Sequence, residues 1–291
     1  MRKIKLLVKL LVIREFAKWR SKFAGRHCAG ILAEANGMLL LSDVGDCGVG
    51  RRLAFNGSYD EDKLDIYRKF INPDTRLLVV GAHVGAVMFP LARLAGEVVG
   101  IEANPTSYRL LAINSAINGI TNCDLRNFAA FDTACSLDFV ASKANSGGAK
   151  VMPSRQNFEF FYDKPDVITV RAAPLDDELD GEFDVIVMDI EGAEYRAMAG
   201  MQRILSRARH FICEVVPNHM DHVDPHTFDE FVARIPGQFK WFSLSSGGPV
   251  VSRNEIGSLY ATIRREHFFG GADMICSTDP VAGEAVTVSQ P

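Results

Sequence analysis

Apolar and polar positions fall into short blocks that predict alternating strands and helices along most of the chain. Residues 77–80 (Leu-Leu-Val-Val) have the length and character of a buried strand, which breaks at Gly81-Ala82-His83-Val84-Gly85. An amphipathic stretch to Leu94 reads as a helix, and residues 98–101 as a second strand. Asn104 can cap a helix that opens at Pro105 and runs to about Asn118. Residues 125–128 predict a third strand, 167–170 an extra one, 183–189 a strongly buried fourth and 210–215 a fifth. Helices are expected over 60–70, 192–207 and 227–235. Residues 28–55 mix glycines with short apolar runs and suggest a hairpin or two. Residues 133–155 are polar, with Gly147-Gly148, and read as a surface insertion. Residues 239–244 and 259–263 are expected to close the sheet as an antiparallel pair. Such alternation implies a mainly parallel sheet with helices on both faces.

Ligands of such sheets sit outside the carboxyl ends of the strands, and several candidate residues fall there. Glycines in the turn after the first strand let a backbone approach a ligand. Glu102, 21 positions after Gly81, ends the second strand, where a carboxylate can accept both hydroxyls of a ribose. Gly81 and Gly85 are spaced G-x-x-x-G, so the dinucleotide fingerprint G-x-G-x-x-G is absent. This favours a nucleoside ligand without phosphates, of which S-adenosylmethionine is the common example, over a dinucleotide or a purely structural turn. His83 lies within the turn and reads either as a structural histidine or as a backbone contact to the ligand. Asp189 ends an apolar run and needs a partner or a ligand there. Glu191 and Glu194 follow it, and Glu214 lies near the end of strand five. Glu194, where a helix begins, is expected to be structural.

A second cluster follows strand five: His219, Asp221, His222, Asp224 and His226. It reads as a solvated loop, as a metal site, or as the source of a general base, with His219 the candidate; no metal is assigned.

Composition narrows the class. With 291 residues, 47% hydrophobic and 23% charged, the chain can bury a sizeable core, and a net charge of −4 gives no global signal for nucleic acid. Six cysteines without a C-x-x-C pair fit a reducing cytoplasm rather than a disulfide framework or zinc site. Residues 1–26 carry nine Lys and Arg against Glu15 alone, a local charge of +8 that leaves −12 for the rest. The segment is too interrupted by charge to span a bilayer and lacks one clean amphipathic period. It reads as a docking helix with solvated charges. The alternative is a peripheral contact of residues 1–22 with the inner face of the membrane or an acidic partner.

Taken in order, several blocks resemble the FkbM-type adenosylmethionine-dependent methyltransferases. They are Gly81-Ala82-His83-Val84-Gly85; Ile101-Glu102-Ala103-Asn104-Pro105 with Tyr108, Leu111 and Asn114; Asn127-Phe128-Ala129-Ala130; Leu175-Asp176-Asp177; and Asp189-Ile190-Glu191-Gly192-Ala193-Glu194. The resemblance covers about residues 48–245. It implies a Rossmann-like class I methyltransferase fold and methyl transfer to a hydroxyl of a sugar, glycolipid or polyketide-type metabolite. The layout then expected is a basic segment 1–26, an accessory hairpin and helix 27–74, a methyltransferase domain 75–276 and a flexible tail 277–291. The implied cofactor contacts are Gly81, Ala82, His83, Gly85, Glu102, Ala103, Asn104, Ala129 and Asp189; the catalytic candidates are Asp189, Glu191, Glu214 and His219. The family's first motif normally begins with an acid two positions before Gly81, and here that position is Val79. A noncatalytic cofactor-binding module of the same fold is therefore the alternative.

Overall fold

The computed structural model describes residues 2–280, so most of the expected tail lies outside the described residues. The chain opens with α1 (Arg2–Ala24), the strands β1 (Ile31–Ala35) and β2 (Met38–Ser42), and the helices α2 (Val49–Asn56) and α3 (Glu61–Tyr67). Then come β3 (Arg76–Val80), α4 (Met88–Ala92), β4 (Glu97–Ile101), α5 (Pro105–Ile117) and β5 (Cys123–Arg126). A middle section holds β6 (Ala129–Ala130), β7 (Cys135–Ala141), β8 (Lys150–Val151), α6 (Phe158–Phe161), β9 (Asp166–Ala173) and α7 (Leu175–Glu178). The last part runs β10 (Val185–Met188), α8 (Glu194–Ala199), α9 (Gln202–Leu205), β11 (His210–Val215), α10 (Pro217–His222) and α11 (Phe228–Ala233). It ends with β12 (Trp241–Leu244), β13 (Val251–Ser252), α12 (Ile256–Glu266) and β14 (Ala272–Ser277).

Eight strands form the main sheet in the order β13-β12-β14-β11-β10-β3-β4-β5. The five from β11 to β5 are parallel, and β14 runs antiparallel between β11 and β12. This is the class I methyltransferase fold expected from the sequence. From β3 the chain steps outward through β4 and β5, then returns to β10 on the other side of β3. The crevice between the carboxyl ends of β3 and β10 is thus a topological switch point, the place where such sheets hold ligands. Beyond Arg76 and Glu97, which open β3 and β4, the central strands β3, β4 and β10 are apolar because both faces are covered. Leu78, Val80, Ile186 and Met188 face one core, and Leu77, Val79, Val185 and Val187 the other.

Four expectations are corrected. Residues 259–263 belong to helix α12, with Ile256, Leu259 and Ile263 buried at helical spacing; the strand that closes the sheet against β12 is β14. The stretch 133–155 is more than a surface insertion. Its β7 and β8 join β9 and β6 in a second sheet of four strands, ordered β6-β9-β7-β8. The helix expected over 192–207 is split into α8 and α9 at Gly200. A Cβ there would lie 1.9 Å from the Phe131 carbonyl, so the chain passes too close for a side chain. Finally, residues 53–55 lie in helix α2 rather than in a hairpin strand.

Candidate active site

The turn after β3 is built by close backbone contacts. Gly81 has φ +91°, and a Cβ on it would meet the Asp189 carbonyl at 1.8 Å, so only glycine fits between β3 and β10. The Gly81 and Ala82 amides both donate to the Ile101 carbonyl at 2.9 Å, which pins the turn to the end of β4. Gly85 (φ +88°) allows the Phe89 ring to pack underneath, 2.1 Å from where a Cβ would be.

Glu102 stands beside this turn. One carboxylate oxygen accepts from the His83 amide and the other from the Asn104 amide, each at 2.8 Å. Burial pushes the carboxyl up to about 7 even though both donors pull it down. Each oxygen keeps a further lone pair for an incoming hydroxyl. Around it the pocket is lined by Val80, Gly81, Ala82, His83, Ile101, Glu102, Ala103, Phe128, Ala129, Ala130 and Asp189. The second sheet and its loop close the pocket from above with Phe139, Ser146, Gly147 and Val151. Ser146 Oγ donates to Asp46 at 2.6 Å, so His83 Nε2–H donates to Ser146 Oγ at 2.7 Å. His83 (φ +50°) thereby ties the turn to the loop above it and to the accessory segment.

Asp189 opens onto the pocket from the end of β10. The surrounding protein and the charge of Glu191 push its carboxyl up to about 7, with Lys63 pulling the other way. Beyond it lies an adjoining cavity of about 550 Å³ that shares Val49, Tyr59, Asp60, Asn145 and Glu191 with the pocket. At the junction Lys150 Nζ donates to Glu191 Oε2 at 2.9 Å, and His219 Nε2 lies 3.4 Å from the same ammonium. Burial works against the Glu191 charge, but Lys150 outweighs it and holds this carboxylate below its ordinary range. Burial and the neighbouring Lys150 hold His219 down at about 3, so its ring is neutral near pH 7. Its Nε2 then accepts from Lys150, and its buried Nδ1 has no protein partner among the described residues. Glu214 lines the same cavity, and burial together with Asp189 and Glu191 holds its carboxyl well above the carboxylate range. Behind it Asp273, which pairs with Glu214 across β11 and β14, accepts from Lys63 at 3.0 Å and from the Tyr67 hydroxyl at 2.7 Å.

Most of the residues singled out from sequence therefore meet. Gly81, Ala82, His83, Glu102, Ala103, Ala129 and Asp189 line one pocket, Glu214 and His219 the next cavity, and Glu191 both. Gly85 and Asn104 are not on the pocket wall; the first supports the turn, and the second caps α5 by accepting from the Thr106 amide at 3.0 Å. Glu194 accepts from the Ile190 and Gly192 amides at 3.0 and 3.2 Å and so shapes the loop, as expected of a structural residue. The histidine run diverges: His222 Nδ1 sits 2.9 Å from the Asn218 carbonyl, and the His226 ring stacks on Tyr195. Among the described residues no three metal-ligating side chains converge. Val79, 3% exposed, packs in the core, and the pocket is walled by Val80 instead. Lys150, Lys63, Ser146 and Asp46 were missed by sequence reasoning. A lysine within a polar stretch carries no local sign that its ammonium is buried.

The methyltransferase FkbM domain family matches residues 80–236, more than half of the chain. The chain belongs to the FkbM methyltransferase family. A solved FkbM methyltransferase from Methylobacillus flagellatus aligns with 70% of this chain at 14% identity and a TM-score of 0.42. This chain covers 44% of that one, so it spans less than half its length. An rRNA methylase from Streptococcus thermophilus aligns with 74% of this chain and 92% of its own, at 10% identity and a TM-score of 0.44. SMU.1697c from Streptococcus mutans, solved in complex with SAH, aligns over 75% and 96% at 10% identity and a TM-score of 0.43. No curated protein matches this chain by sequence.

Proposed function

We propose that this protein is an S-adenosylmethionine-dependent O-methyltransferase whose acceptor is a hydroxyl of a sugar, glycolipid or polyketide-type metabolite. The observation that carries the reading is the buried Glu102 carboxylate at the end of β4, beside a turn that only glycine can make. The site fits the cofactor: it offers a carboxylate with lone pairs to spare, a bare backbone, and apolar walls at Phe128, Ala129 and Ala130. Glu102 would hold the ribose, the 81–83 backbone would pass beneath, and the region around Ala129 would take the adenine. When bound, the cofactor would supply a methyl already activated on a sulfonium.

The remaining work belongs to the chain's own groups. Alignment of two reactants can supply much of the rate, and the junction of pocket and cavity at Glu191 provides the place for it. Lys150 fixes the Glu191 side chain, which would orient the acceptor hydroxyl by accepting its hydrogen bond. Asp189, poised near 7, is the carboxylate best matched to take the proton as the new bond forms. A base must be ionised to act, so with the cofactor saturating, kcat/KM for the acceptor is expected to rise with pH through about 7 and then level. Asp189→Asn should remove that limb and lower kcat by about 10²–10⁴-fold, the usual range for a general base. Transfer of a labelled methyl to hydroxylated acceptors, followed across pH, is the test. Cofactor binding without turnover on any acceptor would instead favour the noncatalytic module.

A further inference from the structure

Helix α1 carries two apolar faces, and only one is covered. Ala17 is buried against Cys47, Ala144 and Tyr162, with Leu10 and Ile13 packed alongside, and Arg20 donates to the Asp46 carbonyl at 3.0 Å. At about 100° per residue, Val8, Val12, Phe16, Trp19 and Phe23 form a second stripe, about 120° around the helix from the first. These five are 54, 63, 39, 58 and 81% exposed. Their three rings stack along the helix, with centroids 5.9 and 5.4 Å apart. The two stripes lie about 120° apart around the helix, with lysines and arginines interspersed, so no single apolar face stands out in the sequence.

The charges beside the free stripe are nearly all positive. Lys5, Lys9, Lys18 and Lys22 are exposed, and Glu15, the segment's single acid, is engaged by Arg14 and Lys18. Aromatic rings flanked by ammonium groups match the headgroup layer of a membrane rich in anionic lipid, where the rings sit at the interface and the lysines reach phosphates. No described helix is long and apolar enough to cross a membrane, so the fit is to a helix lying in the surface.

We propose that α1 docks this protein on an anionic lipid bilayer through Val12, Phe16, Trp19 and Phe23, with Lys5, Lys18 and Lys22 on the headgroups. The inner face of the same helix lines the cavity next to Glu191 through Leu6, Leu10 and Ile13. If the methyltransferase reading holds, on which this further step rests, the acceptor cavity opens beside the bilayer and suits a lipid-linked hydroxyl compound.

The test uses the full chain with phosphatidylcholine vesicles, with and without phosphatidylglycerol. Co-sedimentation is expected with the anionic vesicles, weakened by salt, and brominated lipid should quench an emission that the Trp19→Ser variant lacks. The double variant Trp19→Ser, Phe23→Ser alters only exposed side chains and should lower partitioning at least about ten-fold. Its affinity for S-adenosylhomocysteine should be unchanged, which separates failed docking from a failed pocket. Binding that ignores lipid charge, partitioning untouched by the double variant, or no binding to either vesicle would overturn the proposal. So would a lipid-free dimer dissolved by the same two substitutions, since the stripe would then face a second copy.

Discussion

Glu102→Ala is expected to weaken S-adenosylmethionine binding by at least about a hundred-fold while leaving the chain folded. Hydrogen bonds to a charged group contribute about 1.5–3 kcal/mol each, and two ribose hydroxyls would lose such a partner together. The substitution also frees the His83 and Asn104 amides, so the turn loses one of its ties to the end of β4 and keeps only the backbone bonds to Ile101. Both effects fall on the ligand site. The sheet beneath is held by the apolar packing of β3, β4 and β10, which the change does not touch. Isothermal calorimetry reads the affinity, and a thermal melt confirms the fold. The same carboxyl makes binding pH-dependent. It titrates at about 7 in the free protein, and hydroxyl donors favour its ionised form, so affinity should fall as pH drops below that value. In Glu102→Ala the pH dependence should vanish for S-adenosylhomocysteine, which brings no sulfonium charge to Asp189.

Lys150→Met is expected to cost about 3 kcal/mol of stability near neutral pH and to depress turnover. Breaking one partner of a buried ion pair leaves the other charge uncompensated, and Lys150 is 5% exposed with Glu191 as its ion partner. The sign with pH follows from the wild-type pair. Glu191 is held below its ordinary 4.5 in the folded state, so its stabilisation is full above that pH and is lost as pH falls through the folded value. The gap between variant and wild type should therefore be widest near neutrality and close in acid, as urea denaturation at several pH values would show. Turnover should drop because Glu191 is no longer held at the mouth between pocket and cavity. An equal loss of S-adenosylhomocysteine affinity would instead place the effect on the cofactor side.

Where one residue's neighbours along the chain decide its structure, the sequence was readable. The runs at 77–80, 98–101 and 185–188 are apolar on both faces because helices cover both, and that continuity marked them as central strands. Asn104-Pro105 announced a capped helix and delivers one. Misreadings arose where the signal is short or the partners distant. Leu259 to Ile263 holds β-branched and aromatic residues that suit a strand, yet their buried members recur at helical spacing once Ile256 is included. Strand β14 hid because Asp273 interrupts it, and that acid is satisfied by Lys63, 210 positions away. The covering sheet was concealed in the same way: β7 buries Phe139 and Val140, while Ser136 and Asp138 give it a polar look. For the site, the strand-end acids were visible as positions in a pattern. Lys150 and Ser146 were not, because only the folded second sheet and its loop bring them to the cavity and the pocket.

The most direct test of the central claim is a crystal structure of the protein with S-adenosylhomocysteine. The ribose hydroxyls should lie within hydrogen-bonding distance of Glu102, with the sulfur end turned toward Asp189 and Glu191. A ligand bound elsewhere, or a crevice that stays empty while Glu102 keeps only its two backbone partners, would contradict it.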